Sequence, residues 1–349
     1  MRVLLISPKE DIPKGGIAAW TNLYQSECDA AGIESDIVNT ALIGQRAKHA
    51  NAKRNIADEI IRTRVIFKQL NSFLKGNGVY DVVHLNTSCG TYGIIRDYFL
   101  AKKVKRKNLK LVLQFHCDIP FWVKGRLQNY FLKKLLKKSD KNLVLCNSSK
   151  KFLKEGFNEY SEILPNCIEK KTIKKEPKII TEKIGSFLFV GRASKEKGIL
   201  EFMRIAELFP SIRFDVIGEI SEDVSGIPKP QNVHFLGIKN QAEVLALLDE
   251  ADAFFFPTHS EGFSMALLEA MARGLPIIAT DVGANYDMVE NKGGIVIPKG
   301  DVDAMKNALK QLSDFSTRKK MSEWCINKVV DNYTTDKVME KLFELYIKV

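Results

Sequence analysis

Apolar positions along the chain fall into short, nearly continuous runs, separated by longer stretches in which they recur every three or four residues. RVLLIS, SDIVNT, DVVHLN, KLVLQFHCD and NLVLCNS are runs of the first kind. Between them, segments near 18–31, 50–74, 92–103 and 122–138 carry the helical period. Runs apolar almost throughout predict strands covered on both faces, and the helical segments between them predict the crossovers of a parallel sheet. KKTIKKEPKIITEKIG, with its lysines and proline, reads as a solvated connector. The alternation then restarts: SFLFVGR, a helix near 197–208, RFDVIGE, NVHFLG, a helix near 241–250, AFFFP, a helix from Met265, PIIATD and GGIVIP. The pattern predicts an α/β protein of two Rossmann-like, doubly wound parallel-sheet units facing a cleft. They cover 1–170 and 171–330, and a last helix in 331–349 is expected to pack back on the first. In such sheets ligands bind outside the carboxyl ends of the strands.

Length agrees with this division, because 349 residues exceed one comfortable core. The six cysteines, Cys28, Cys89, Cys117, Cys146, Cys167 and Cys325, form no C-x-x-C pair and have no histidine at metal-ligand spacing. They read as buried thiols of a reducing compartment, hence a cytoplasmic protein, with no metal assigned. MRVLLISPKED is a first strand stopped at Ser7 and Pro8 rather than a signal peptide, and no apolar run reaches membrane-spanning length. The net charge of +11 is unevenly placed: residues 101–138 hold twelve Lys or Arg and one acid, Asp118. Such a bias points to nucleic acid, an anionic lipid surface or phosphorylated small molecules, and charge alone does not choose among them.

The chemistry concentrates in a few places. In HSEGFSMALLEAMARGL, Ser264 is placed to cap a helix over Met265 to Arg273 that ends at Gly274 before Pro276. Glu261 then lies in the loop ahead of the helix and Glu269 in its second turn, rotated about 80° from it, so the two contact different parts of one ligand. The N–H groups of Phe263, Ser264, Met265 and Ala266 favour an anion or hydrogen-bonding oxygen there. The bland alternative gives Glu261 to the helix dipole and Glu269 to a salt bridge with Arg273. The apolar neighbours Leu267, Leu268, Ala270 and Met271 favour function, since carboxylates are seldom buried without use. In FLFVGRASKEKG, Gly191 turns the backbone after a strand, and Arg192 and Lys197 suit a diphosphate. Gly15 and Gly16 in PKGGIA allow a close approach of backbone to phosphate, or a plain tight turn. His116 follows a strand, where a neutral imidazole could serve a sugar hydroxyl or a developing charge, although a lone histidine is more often structural, and Asn166, in a turn near the domain junction, has the same ambiguity. Asp301 and Asp303 read as a helix cap and a first-turn acid rather than metal ligands. FWVKGRLQNYFLKKLLKKS, residues 121–139, is either a helix lying on anionic lipid or a core-facing helix with a solvated lysine face.

In order along the chain, Gly15-Gly16, His116, V-G-R-x4-K-G (Val190 to Gly198) and E-G-F-x5-E (Glu261 to Glu269) resemble the retaining family 4 glycosyltransferases of GT-B fold. The resemblance implies a nucleoside-diphosphate sugar bound mainly by the second unit. Arg192 and Lys197 would hold the diphosphate with help from the Gly16 backbone, Glu269 the ribose, Glu261 with the backbone at Phe263 and Ser264 the donor sugar, and His116 the sugar near its reacting carbon. It implies no bound metal or other cofactor, and transfer to a saccharide or lipid-linked acceptor, as in surface polysaccharide synthesis. Three positions depart from the family's habit: Gly218 is followed by Glu219-Ile220-Ser221, His116 by Cys117-Asp118, and Asp287 stands where relatives often carry glutamate. A sugar-nucleotide epimerase of the same architecture is the alternative enzyme. A nucleic-acid-binding protein would account for the charge but has no interleaved aromatic motif, so no nucleic-acid partner is expected.

Overall fold

A computed structural model describes residues 1–10, 16–43, 55–76, 79–87 and 89–349. The chain divides into two compact units, Met1–Pro165 with Val338–Val349, and Asn166–Lys337. Each is built on a six-stranded sheet whose pairings are all parallel.

In the first unit the strands β1 (Arg2–Ser7), β2 (Glu34–Asn39), β3 (Val82–Thr87), β4 (Lys110–Phe115), β5 (Lys141–Val144) and β6 (Glu162–Ile163) lie in the order β2-β1-β3-β4-β5-β6. β1 and β3 are buried along nearly their whole length, as strands covered by helices on both faces must be. The helices are α1 (Gly16–Ala30), α2 (Ile56–Lys75), α3 (Thr91–Lys105), α4 (Ile119–Trp122), α5 (Arg126–Leu136) and α6 (Asn147–Phe157). The single helix expected over 122–138 is two, because Gly125 holds an extended conformation between them and starts the second. Leu132, Leu135 and Leu136 of α5 are buried while Leu127 and Tyr130 are exposed, so this helix has both a core face and a solvent face carrying lysines. Helix α6 was not marked by the hydrophobic period, since only Ser149 and Leu153 of its residues are buried.

The second unit has β7 (Ser186–Val190), β8 (Arg213–Ile217), β9 (Val233–Gly237), β10 (Ala253–Phe256), β11 (Ile277–Thr280) and β12 (Gly294–Ile297), ordered β12-β11-β10-β7-β8-β9. Numbered within the unit this is 3-2-1-4-5-6 read from the other edge, the dinucleotide-fold order, with the direction of winding reversing between β7 and β10. Its helices are α7 (Ile199–Leu208), α8 (Gln241–Glu250), α9 (Met265–Ala272), α10 (Asn285–Val289), α11 (Val302–Gln311) and α12 (Phe315–Asn332). Helix α12 escaped the periodicity because its inward positions include Arg318 and Ser322 beside Met321, Cys325 and Val329. The two terminal nitrogens of Arg318 donate to the carbonyls of Leu312, Thr181 and Glu182, while its Nε is buried without a partner. Asp301 caps α11 by accepting from the Ala304 N–H at 2.9 Å, with Asp303 in the first turn.

The closing helix α13 (Thr335–Ile347) brings Tyr346 into the first unit, where its hydroxyl hydrogen-bonds His84 and Tyr24. The expectation of six thiols needs correction. Cys89 and Cys117 follow the adjacent strands β3 and β4 and are joined as a disulfide, whereas Cys28, Cys146, Cys167 and Cys325 are free and buried. Spacing of 28 residues conceals a pairing that neighbouring strand ends create.

Candidate functional site

The reversal between β7 and β10 splays the connections leaving their carboxyl ends to opposite sides and leaves a crevice there. The loop after β7 carries Arg192 and Lys197, and the loop after β10 carries Glu261. Lys197 reaches across and donates to Glu261 Oε1 at 2.6 Å and to the Ser260 carbonyl at 3.0 Å. An ammonium has three N–H groups, so one remains for a further anion.

Glycines permit this approach. Gly198 has φ +73°, and a side chain there would put Cβ 1.9 Å from the Pro257 carbonyl oxygen. Gly191 and Gly218 meet backbone to backbone: Cβ on Gly218 would lie 2.0 Å from the Gly191 carbonyl oxygen. The Glu219-Ile220-Ser221 stretch pairs with the Arg192 loop, through Ala193 N–H to Glu219 O at 2.8 Å and Ser221 N–H to Ala193 O at 3.0 Å. Arg192, exposed, is thus presented from backbone braced on the neighbouring β8 loop.

Glu261 and Gly262 rest on a second cradle. Gly283, at φ +55°, brings its Cα so near that a Cβ would be 2.1 Å from the Glu261 carbonyl oxygen, and Ala284 N–H donates to Gly262 O at 3.0 Å. Burial raises the Glu261 carboxyl pKa, and the charge and hydrogen bond of Lys197 oppose that shift. Ser264 caps α9 by accepting from Leu267 N–H at 3.2 Å, and α9 ends at Ala272 with Gly274 left-handed, matching the punctuation of the sequence. Phe263 turns its ring away to Tyr333, 5.5 Å between centroids, and Met265 begins the helix half-buried. Their contribution at the helix start is therefore through backbone N–H groups.

Glu269 sits on the second turn of α9. Its partner is Gln241 at 3.4 Å, and burial raises its pKa. The salt bridge with Arg273 does not form: Arg273 pairs with Asp249 and donates to the Thr172 carbonyl. A half-buried carboxylate with one long hydrogen bond has acceptor capacity to spare.

In the first unit His116 N–H donates to the Thr87 carbonyl at 3.1 Å, and its ring packs edge-on to Trp20 of α1 at 5.2 Å. Its Nε2 is hidden from solvent without a partner, and burial pulls its pKa down to about 3, so the imidazole is neutral at physiological pH. Gly16 opens α1, four residues before Trp20, and a Cβ on it would meet nothing within 4 Å. Gly15 lies outside the described residues. Asn166 is buried with its Oδ1 unpartnered.

Two features escaped the sequence. His259 N–H donates to the Glu196 carbonyl and its Nε2 pairs with Glu201 at 2.9 Å, tying the β10 loop to the Lys197 loop and to α7. Gly283, in DVGANYD, is the other, because its cradle needs the tertiary neighbour.

Residues 169–327 match the family of glycosyl transferases group 1. The chain is 27% identical over 301 residues to an uncharacterized 41.2 kDa protein in the cps region of Klebsiella pneumoniae, covering 80% of this chain and 81% of that protein. It is 31% identical over 186 residues to the UDP-Gal:alpha-D-GlcNAc-diphosphoundecaprenol alpha-1,3-galactosyltransferase of Escherichia coli. That match covers 49% of this chain and 48%, about half, of the relative. Among solved structures, sucrose-phosphate synthase from Thermosynechococcus elongatus superposes with a TM-score of 0.80 at 16% identity, over 99% of this chain and 98% of that one. The fold is GT-B.

Proposed function

We propose that the chain is a retaining, metal-independent glycosyltransferase. It moves a sugar from a nucleoside-diphosphate sugar, UDP favoured, to a hydroxyl of a saccharide or lipid-linked acceptor in surface polysaccharide synthesis. The observation that carries the reading is the Lys197–Glu261 pair at the winding reversal of the second sheet, inside the segment that matches group 1 transferases. The Escherichia coli relative, named for UDP-Gal and a diphosphoundecaprenol-linked acceptor, supports the choice of donor and acceptor class.

In this reading the diphosphate lies across Arg192 and the remaining N–H of Lys197. Glu269 accepts from the ribose hydroxyls. Glu261, held in place by Lys197, accepts from a donor-sugar hydroxyl, with the N–H groups of Phe263, Ser264 and Met265 beside it. As the bond from the anomeric carbon to the phosphate oxygen breaks, its electron pair leaves with the diphosphate, where Arg192 and Lys197 stabilise the charge. The acceptor oxygen attacks from the same face and its proton passes to a phosphate oxygen, which retains configuration. His116, neutral, can accept or donate a hydrogen bond to a sugar hydroxyl without changing charge.

No described helix is long and apolar enough to cross a membrane. We propose peripheral attachment to the inner membrane face through 121–138, where exposed Trp122, Leu127 and Tyr130 stand among lysines. A thermal-shift panel of UDP-, GDP- and ADP-sugars tests the donor: a UDP-sugar raises the melting temperature most, and no response to any of them removes the reading. Incubation with donor alone yields no isomerised sugar if transfer, not epimerisation, is the reaction.

A further inference from the structure

The loop that carries Glu261, Pro257 to Gly262, is tied down along its length, and the ties differ in what they ask of the site. The Pro257 carbonyl lies against Gly198, whose Cβ would stand 1.9 Å from it. The Thr258 carbonyl accepts from the Thr280 hydroxyl at the end of β11, and the Thr258 hydroxyl donates to the Ser260 carbonyl at 3.2 Å. At the far end the Gly262 carbonyl accepts from Ala284 N–H at 3.0 Å. Between these ends Lys197 holds the Ser260 carbonyl and the Glu261 carboxylate.

Lys197 is a shared anchor. A cation that stabilises a leaving diphosphate is drawn toward it as charge grows there, and whatever it gives to phosphate it takes from Glu261. A carboxylate placed by that lysine alone would move with it.

The tie between His259 and Glu201 does not pass through Lys197. His259 Nε2 lies 2.9 Å from Glu201 Oε1, and the His259 backbone N–H donates to the Glu196 carbonyl at 2.9 Å. An ionised carboxylate only accepts, so Nε2 carries the proton. Glu201 stands in the first turn of α7, where the helix dipole favours a negative charge. The ring also meets the loop after β12, since a Cβ on Gly300 would lie 3.9 Å from His259 Cε1. The imidazole two residues before Glu261 is therefore fastened to a helix.

We propose that His259 and Glu201 are a positioning pair, holding the loop so that Glu261 keeps its place on the donor sugar while Lys197 turns its charge to the diphosphate. That Glu261 bears on a sugar rests on the transferase reading; that the pair fixes the loop does not.

The test uses the full chain with His259→Leu and Glu201→Leu, which break the tie, and His259→Gln and Glu201→Gln, which keep a donor and an acceptor in place. Amide hydrogen exchange reads the loop, titration with UDP reads the nucleotide, and UDP release from UDP-galactose or UDP-glucose reads turnover well below the melting temperature. Each Leu variant is expected to speed exchange over 258–263 at least fivefold with α9 unchanged, and to lower kcat at least tenfold with UDP affinity within threefold of wild type. The Gln variants restore kcat to within threefold, and the double Leu variant loses no more than either single one. A pair that served stability alone would lower the melting temperature and leave kcat as it was, which overturns the proposal. Losses that add in the double variant overturn it as well, because His259 then acts on the sugar itself. If wild type binds none of the three nucleotides, the transferase reading falls and the exchange rates alone decide the tie; if exchange is unchanged in both Leu variants, the pair falls and the transferase reading stands.

Discussion

Replacing Lys197 by Ala separates a structural from a catalytic lysine. Its Nζ makes a 2.6 Å bond to Glu261 and a 3.0 Å bond to the Ser260 carbonyl, and has one N–H left for a phosphate oxygen. A hydrogen bond between charged groups is worth about 1.5–3 kcal/mol, so losing the phosphate contact weakens UDP binding about 10- to 100-fold. The transition state carries more charge on the leaving diphosphate, and loss of one such donor costs about 10²–10³-fold in turnover. The variant also leaves Glu261 half-buried without its cation, and Lys197→Ala/Glu261→Gln removes that second penalty. UDP affinity is read by titration calorimetry and kcat/KM with a UDP-sugar. The expected pattern is a loss in kcat/KM exceeding the loss in affinity, with the double variant recovering melting temperature but not turnover. If the double variant recovers UDP affinity to within threefold of wild type, Lys197 serves only to neutralise Glu261 and the diphosphate assignment is wrong.

The other expectations follow from the same geometry. Glu269→Ala weakens a UDP-sugar about tenfold, the worth of one charge-assisted hydrogen bond, and leaves 2′,3′-dideoxy-UDP unaffected; equal losses for both nucleotides would refute the ribose role. Because burial raises the Glu269 pKa above its usual 4.5, the folded state holds that proton more tightly than the unfolded. The contribution is present below 4.5 and lost as pH rises, so Glu269→Gln raises the melting temperature at pH 7 and the gain shrinks toward pH 4.5. His84 and His116 are both pulled down from 6.5 to about 3 by burial. Their contribution is whole above pH 6.5 and lost as pH falls toward 3, at about 1.4 kcal/mol per pH unit for each group. His84→Gln should flatten the acid limb of a melting-temperature profile, and an unchanged limb would refute that source. Gly198→Ala places Cβ against the Pro257 carbonyl and costs about 3 kcal/mol, about 6–12 °C in a unit of this size, whereas Gly16→Ala, with open space around it, leaves the melting temperature unchanged.

Local signals carried much of the molecule. The alternation of buried runs with helical periods marked both parallel sheets, and Ser264, Gly274 and Pro276 marked α9, because strand burial, caps and turn glycines act over a few residues. The E-G-F-x5-E element separated Glu261 in its loop from Glu269 on its helix before any pairing was visible. Where inward positions were polar, as in α12 and α6, the periodicity was silent.

Only the tertiary structure decided who meets whom. Lys197 and Glu261 are 64 residues apart and come together because β7 and β10 are neighbours across the reversal of winding. Adjacency of β3 and β4 likewise pairs Cys89 with Cys117, and packing of α1 seals His116 against Trp20. The pairing of His259 with Glu201, 58 residues apart, belongs to the same class. The sequence by itself determined which segments are strands, helices and turns and which residue types carry chemistry, since these rest on short-range backbone and burial preferences. Strand order, a long-range property, determined which of those residues share a site and what solvent and charge each one feels.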